Sequence, residues 1–167
     1  HDDMEDYKNA KAKLFRENFV KTSIINIDDP VGKEFVEEFK ENTITTGINY
    51  IADFSAENIF LTKTQSRFTL KTPSGSIDIR TNLLGRHNIY NLLSAAACAV
   101  NRGMSLEKIQ DTFKEIPPIP GRFESINSGQ NFSVLVDYAH TQDALSKSII
   151  ASKAFTLGEV IVVFGCG

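Results

Sequence analysis

Tryptophan is absent from this 167-residue chain, cysteine occurs twice and proline five times. Cys98 sits in an alanine-rich stretch and Cys166 in a glycine turn, too few and too unlike for a disulfide framework or a metal knuckle. A reducing, cytoplasmic compartment is the reading this favours. No sign of charge dominates: 18 Lys and Arg against 21 Asp and Glu leave a net charge of -3, no basic field for nucleic acid. No apolar run approaches the roughly 18 residues of a spanning helix. No G-x-x-x-x-G-K-[ST] phosphate loop occurs either. What remains is ordinary for a globular protein, 41% apolar and 23% charged, with length for one good core or two small ones.

The pattern along the chain predicts an α/β fold. Residues 3–19 read as a helix and "TSIINID" as a short strand; Pro30 opens a second helix, at a favoured first-turn position. From 43 to 81 the segments are short and β-rich, and "RFTLKT-PSG-SIDIRT" alternates on both arms of a hairpin. Residues 87–101 are an Ala/Leu-rich helix, and Ser105 caps another. Three prolines within 117–120, then Gly121, form a stiff linker that neither helix nor central strand can absorb. Strand 132–136, helix 142–154 and strand 160–164 then make a βαβ unit. The domain boundary is expected near 121, giving bodies 1–121 and 122–167. "HDDMEDY" without an initiator Met, and "VIVVFGCG" with no following helix, read as the two ends of an internal piece of a longer enzyme.

Three places bear on chemistry. At about 100° per residue, Met4, Tyr7, Leu14 and Phe15 form an apolar stripe with Lys11 near its centre. Lys11 either snorkels to water or is held in a site where desolvation lowers its pKa and frees its amine. In "GRHNIYNLLSAAACAV", Ile89, Leu92, Leu93, Ala96 and Val100 form the buried face. Asn88 and Asn91 share a neighbouring face beside the small Ala95. Two amides there either read a flat ring by hydrogen bonds, or one caps the helix and the other is solvated. In "VLVDYAHTQDAL", Thr141 can cap the coming helix, which leaves Asp137 and His140 spare at the carboxyl end of a strand, where open α/β sheets place ligands. Arg122, after the proline linker, could clamp a phosphate or ribose.

The segments "MEDYKNAKAKLF", "GRHNIYNLLSAA" and "PGRFE…VLVDYAHTQDAL…VVFGCG" together resemble the Mur ligase family, in the branch that adds the third amino acid to the peptidoglycan stem peptide. The family usually has Pro where this chain has Gln142. Folylpolyglutamate synthetases share the architecture but typically have Gly where Tyr138 stands. The resemblance implies the later part of a central ATPase domain with a β-rich insertion, followed by the first βαβ unit of a Rossmann-like C-terminal domain. It implies an ATP- and Mg2+-dependent ligase that forms an amide through an acyl phosphate. The substrates implied are UDP-N-acetylmuramoyl-dipeptide and an amino acid, handled by a monomeric cytoplasmic enzyme. By the same resemblance Lys11 is carbamylated and helps hold magnesium, Asn88 and Asn91 line the adenine pocket, and Arg122, Asp137 and His140 bind the nucleotide at the domain junction. His1 matches a histidine neighbouring the family's metal ligand, not that ligand. The alternatives are a folylpolyglutamate synthetase-like ligase and a non-catalytic nucleotide-binding module. Phosphoryl transfer needs a preorganised phosphate cradle, so the chain alone is expected to form no amide.

Overall fold

The computed structural model describes residues 3–16 and 20–165 of the chain. A five-stranded mixed sheet, in the order β1-β2-β3-β4-β5, is formed by β1 (Ser23–Asn26), β2 (Thr43–Gly47), β3 (Phe54–Leu61), β4 (Ser66–Thr72) and β5 (Gly75–Thr81). The pairs β1·β2 and β2·β3 are parallel, and β3·β4 and β4·β5 antiparallel. The predicted hairpin is β4–β5, closed at Pro73 and Ser74, with Gly75 at φ 138°.

The main core lies on one face of this sheet. Phe54, Ala56, Phe68, Leu70 and Ile79 meet Ile89, Leu92, Leu93, Ala96 and Ala97 of α3 (Arg86–Asn101) and Ile109 and Phe113 of α4 (Leu106–Glu115). Val100, expected in the buried face, packs against the rim of this cluster. Ser105 caps α4 as predicted, accepting from the Lys108 amide at 3.3 Å.

Strand β1 alternates its side chains, so it serves two cores. Ile24 packs on the main cluster, while Ile25 joins Ala12 of α1 (Met4–Arg16) and Phe35 of α2 (Pro30–Glu38) on the other face. Phe15, Phe35 and Phe39 stack there with ring centroids 5.3–5.7 Å apart, each such pair adding about 0.5–1.5 kcal/mol beyond burial. The face of α1 turned inward is therefore Lys8, Ala12 and Phe15. This corrects the expected stripe: Met4, Tyr7 and Leu14 are exposed, and Lys11 lies beside the packed face, not at its centre. Periodicity locates apolar residues, but the partner decides which turn of the helix is covered. The part of the predicted helix from 17 to 19 lies outside the described residues.

Beyond the proline segment, β6 (Glu124–Ile126) and β7 (Val134–Val136) form a separate antiparallel pair, followed by α5 (Gln142–Lys153) capped by Thr141. The expected βαβ unit is not formed among the described residues. Residues 160–164 pair with no strand, and Ile161, Val163 and Phe164 are exposed. A parallel strand is stable when neighbours and covered faces surround it, and here β7 finds its partner in β6 instead.

One close approach fixes α2 on β1. A Cβ added at Gly32 would fall 1.9 Å from the Asn26 carbonyl oxygen, a backbone atom that cannot swing away. Gly32→Ala would gain about 1 kcal/mol of helix propensity, but the overlap should cost about 1–3 kcal/mol or more. The expected outcome is net destabilisation in urea titration; a variant as stable as the parent would show that the contact relaxes freely.

Candidate functional site

The loop between β2 and β3 spans only residues 48–53, although the two strands are parallel. Parallel neighbours normally need a crossover of a dozen or more residues. Here pairing is limited to Thr46↔Phe54 and Gly47↔Ser55, and two carboxylates hold the short loop at its ends. Asp53 accepts from the Thr45 amide at 2.8 Å and the Thr45 hydroxyl at 2.7 Å. Asp28, just past β1, accepts from the Ile48 amide at 2.7 Å and the Asn49 amide at 2.9 Å.

Asp28 also receives the Tyr90 hydroxyl of α3 at 2.7 Å, and Arg86 donates to Asn49 Oδ1 at 2.8 Å. Burial pushes the Asp28 carboxyl up, but the Tyr90 hydroxyl and the amides of Ile48, Asn49 and Tyr50 outweigh it and hold it below the usual range. Burial, then the neighbouring carboxylate, raise the Tyr90 phenol. The pair is therefore anion and neutral donor. This group escaped the sequence reading, though a signal existed: Asp29 caps α2 through the Val31 amide at 2.8 Å, leaving Asp28 spare at a strand end. That is the logic that singled out Asp137.

The start of α3 carries the two asparagines. Its N-cap is Gly85, at φ 87° and without a side-chain cap, so neither asparagine caps the helix. Asn88 is buried; its amide donates to the Leu84 carbonyl at 2.8 Å and its Oδ1 accepts from Asn91 Nδ2 at 3.2 Å. Asn91 is exposed, so a fixed, oriented amide pair reaches from the interior to the surface.

Against this helix start lies the segment after the linker. Phe123 is buried at φ 53°, its ring edge-on to His87 at 5.2 Å and to Phe155 at 6.3 Å. Burial lowers the His87 pKa, with Asp137 opposing, so the imidazole is neutral near pH 7. Arg122 is exposed, its guanidinium 5.4 Å from the Tyr138 ring, and Tyr138 stands 5.2 Å from the His140 ring. Tyr138 donates its amide to the Gly121 carbonyl at 2.8 Å. Asp137 accepts from the Ser148 hydroxyl, and His140 Nδ1 lies 3.0 Å from the Tyr138 carbonyl. A cavity of about 190 Å³ is lined by Leu83, Leu84, Arg122 and Phe123, among others. The start of α3 and the stretch 121–140 thus meet, with an amide pair, a guanidinium, a carboxylate and an imidazole in the neighbourhood. Lys11 stands apart on α1, exposed, its ammonium 4.5 Å from the Tyr7 ring centroid.

Residues 1–99 match the model of the Mur ligase middle domain, and residues 121–167 that of the Mur ligase glutamate ligase domain. The chain belongs to the Mur ligase family. Among curated relatives, the UDP-N-acetylmuramoyl-L-alanyl-D-glutamate–2,6-diaminopimelate ligases of Geobacillus thermodenitrificans and Bacillus cereus are 40% and 38% identical to it. Both alignments cover the whole chain, and 36% and 35% of those relatives. A solved structure of a ligase with the same name superposes with a TM-score of 0.78 at 29% identity, over all of this chain and 35% of that one. The chain thus spans about a third of the length of the Mur ligases it matches.

The lowered Asp28 pKa fixes a sign. A carboxyl below its ordinary 3.8 adds stability above that value, and the contribution fades as pH falls through the folded value. The stability gap between the parent and Asp28→Asn, read by urea titration, should therefore be larger at about pH 7 than at about pH 2. A gap that stays constant or widens in acid would refute the assignment.

Proposed function

We propose that this chain is the nucleotide-binding part of an ATP-dependent ligase that joins a diamino acid to UDP-N-acetylmuramoyl-L-alanyl-D-glutamate in peptidoglycan synthesis. The division falls near residue 121, with the later part of the central domain before it and the start of the C-terminal domain after it. The relatives are named for 2,6-diaminopimelate, which makes that amino acid the candidate co-substrate. Such substrates place the work in the cytoplasm, and we take the complete enzyme as a monomer. No helix among the described residues is long and apolar enough to cross a membrane.

The observation that carries this reading is the fixed amide pair at the start of α3, the helix end whose His87 meets Phe123, next in sequence to Arg122. Asn88 is fixed on the Leu84 carbonyl and so fixes Asn91, whose amide then offers a donor and an acceptor to the edge of a purine. Arg122 supplies a planar cation suited to a phosphate or ribose. Asp137 suits a ribose hydroxyl, and His140 a second polar contact. These residues fit ATP, which when bound supplies the phosphoryl group that activates the substrate carboxylate.

For magnesium the fit is partial. Among the described residues no three carboxylate, histidine or cysteine groups gather to hold a metal. The Lys11 ammonium is no ligand; a carbamate on it would be an oxygen ligand of the hard type magnesium takes. The exposure of Lys11 leaves its amine accessible to carbon dioxide. Its role in this reading is to hold that oxygen.

In the complete enzyme, Asn91→Ala should raise the KM for ATP about fivefold to tenfold, whereas an unchanged KM would remove the base-reading role. Lys11→Ala should cut turnover by about 10²-fold or more with little loss of folding stability. Bicarbonate should not restore it, whereas a short-chain carboxylic acid that refills the gap could. Near-normal turnover of Lys11→Ala at saturating magnesium and ATP would leave Lys11 an ordinary surface lysine.

A further inference from the structure

We propose that Asp28 is a positioning residue for the nucleotide site: its carboxylate sets the rotation of α3, and with it the aim of Asn88 and Asn91. The inference rests on the base-reading role given to those asparagines, and adds what holds them in register.

Asp28 is not needed where it stands for capping, since Asp29 caps α2. Its oxygens are turned instead to two other elements. Oδ2 accepts from the Ile48 and Asn49 amides at 2.7 and 2.9 Å and from the Tyr90 hydroxyl at 2.7 Å; Oδ1 accepts from the Asn49 amide at 3.2 Å. Asn49 then receives Arg86 at 2.8 Å, so the start of α3 is tied to Asp28 through Tyr90 and to the loop that Asp28 holds through Arg86. Gly47 allows the approach: a Cβ there would lie 3.2 Å from Asp28 Oδ1.

The geometry of a helix makes this tie consequential. Arg86 and Tyr90 are four residues apart and share one side of α3. Asn91 follows Tyr90 by about 100° around the axis, and Asn88 lies about 160° away. Turning the helix about Tyr90 therefore moves both amides together. The apolar side of α3, small at Ala96 and Ala97, packs on the sheet without directional bonds that would resist a slight rotation. Gly85 supplies no side-chain cap to fix the helix start. Hydrogen bonds tolerate only a few tenths of an ångström and a limited angle, so a base-reading pair needs a directional anchor. Asp28 and Tyr90 are that anchor, with Arg86 and Asn49 beside them and Lys33 against the Tyr50 ring at 3.3 Å on the loop's outer side.

The test uses the complete enzyme with Asp28→Asn and Tyr90→Phe, read by the equilibrium Kd for ADP and for GDP and by KM and kcat with ATP. Both variants should raise the ADP Kd and the ATP KM about fivefold to tenfold. Both should lower the preference for ADP over GDP by a similar factor, with kcat at saturating ATP within about twofold of the parent. Tyr90→Phe removes one hydroxyl and keeps the ring, so it carries the test should Asp28→Asn fold poorly. Asn91→Ala, which removes the amide offered to the base, serves as reference. If it weakens ADP binding while Tyr90→Phe leaves ADP affinity and base preference unchanged, the anchor is structural only and the proposal fails. If Asn91→Ala itself leaves ADP affinity unchanged, the base-reading assignment fails first and takes the proposal with it.

Discussion

The packing of α3 across the sheet is the constraint on which the rest of the structure depends. Ile89, Leu92, Leu93, Ala96 and Ala97 are buried against Phe54, Ala56, Phe68, Leu70 and Ile79, which joins the parallel strands to the antiparallel hairpin in one core. The same helix starts at Gly85, next to the segment beyond the proline linker, and bears both asparagines in its first turns. A fault in its seating would disturb core and site together. That is why its polar ties sit at the site end, where apolar packing gives position but little orientation.

The second meeting point is aromatic. Phe123 inserts between His87 and Phe155 and takes a left-handed backbone conformation to do so. A non-glycine residue bears that strain when its surroundings hold it there, and the burial of its ring supplies the hold. The result links the start of α3, the residues after the linker and the end of α5 through one side chain. The exposed row of Arg122, Tyr138 and His140 lies next to this link, so residues from distant parts of the sequence can face a common ligand.

Much of this was legible from local rules. Alternation with Pro73, Ser74 and Gly75 located the β4–β5 hairpin, and Pro30, Ser105 and Thr141 marked three helix starts, because capping and turn chemistry act within a few residues. The quoted motifs located Asn88, Arg122, Asp137 and His140 as candidates. Where the sequence misled, a distant partner decided. The stripe around Lys11 was apolar, yet Phe35 and Ile25 cover Ala12 and Phe15 instead. The apolar run 160–164 had strand composition but no neighbour to pair with among the described residues.

Asp28 shows the division most clearly. Its sequence context announces a spare carboxylate after a strand, as that of Asp137 does. What the carboxylate holds could not be read there, because its partners lie 20, 21 and 62 residues away and meet only when β1, β2 and α3 assemble. The sequence by itself determined the helices, the β4–β5 hairpin and the family, since those follow from short-range periodicity, caps and motifs. Only the tertiary structure decided which face of α1 is buried, that β7 pairs with β6, and that Asp28, just past β1, meets the loop after β2 and Tyr90 of α3. The first and the last depend on contacts between residues distant in sequence, which no local pattern encodes, whereas Ile126 and Val134 pair across only the loop 127–133.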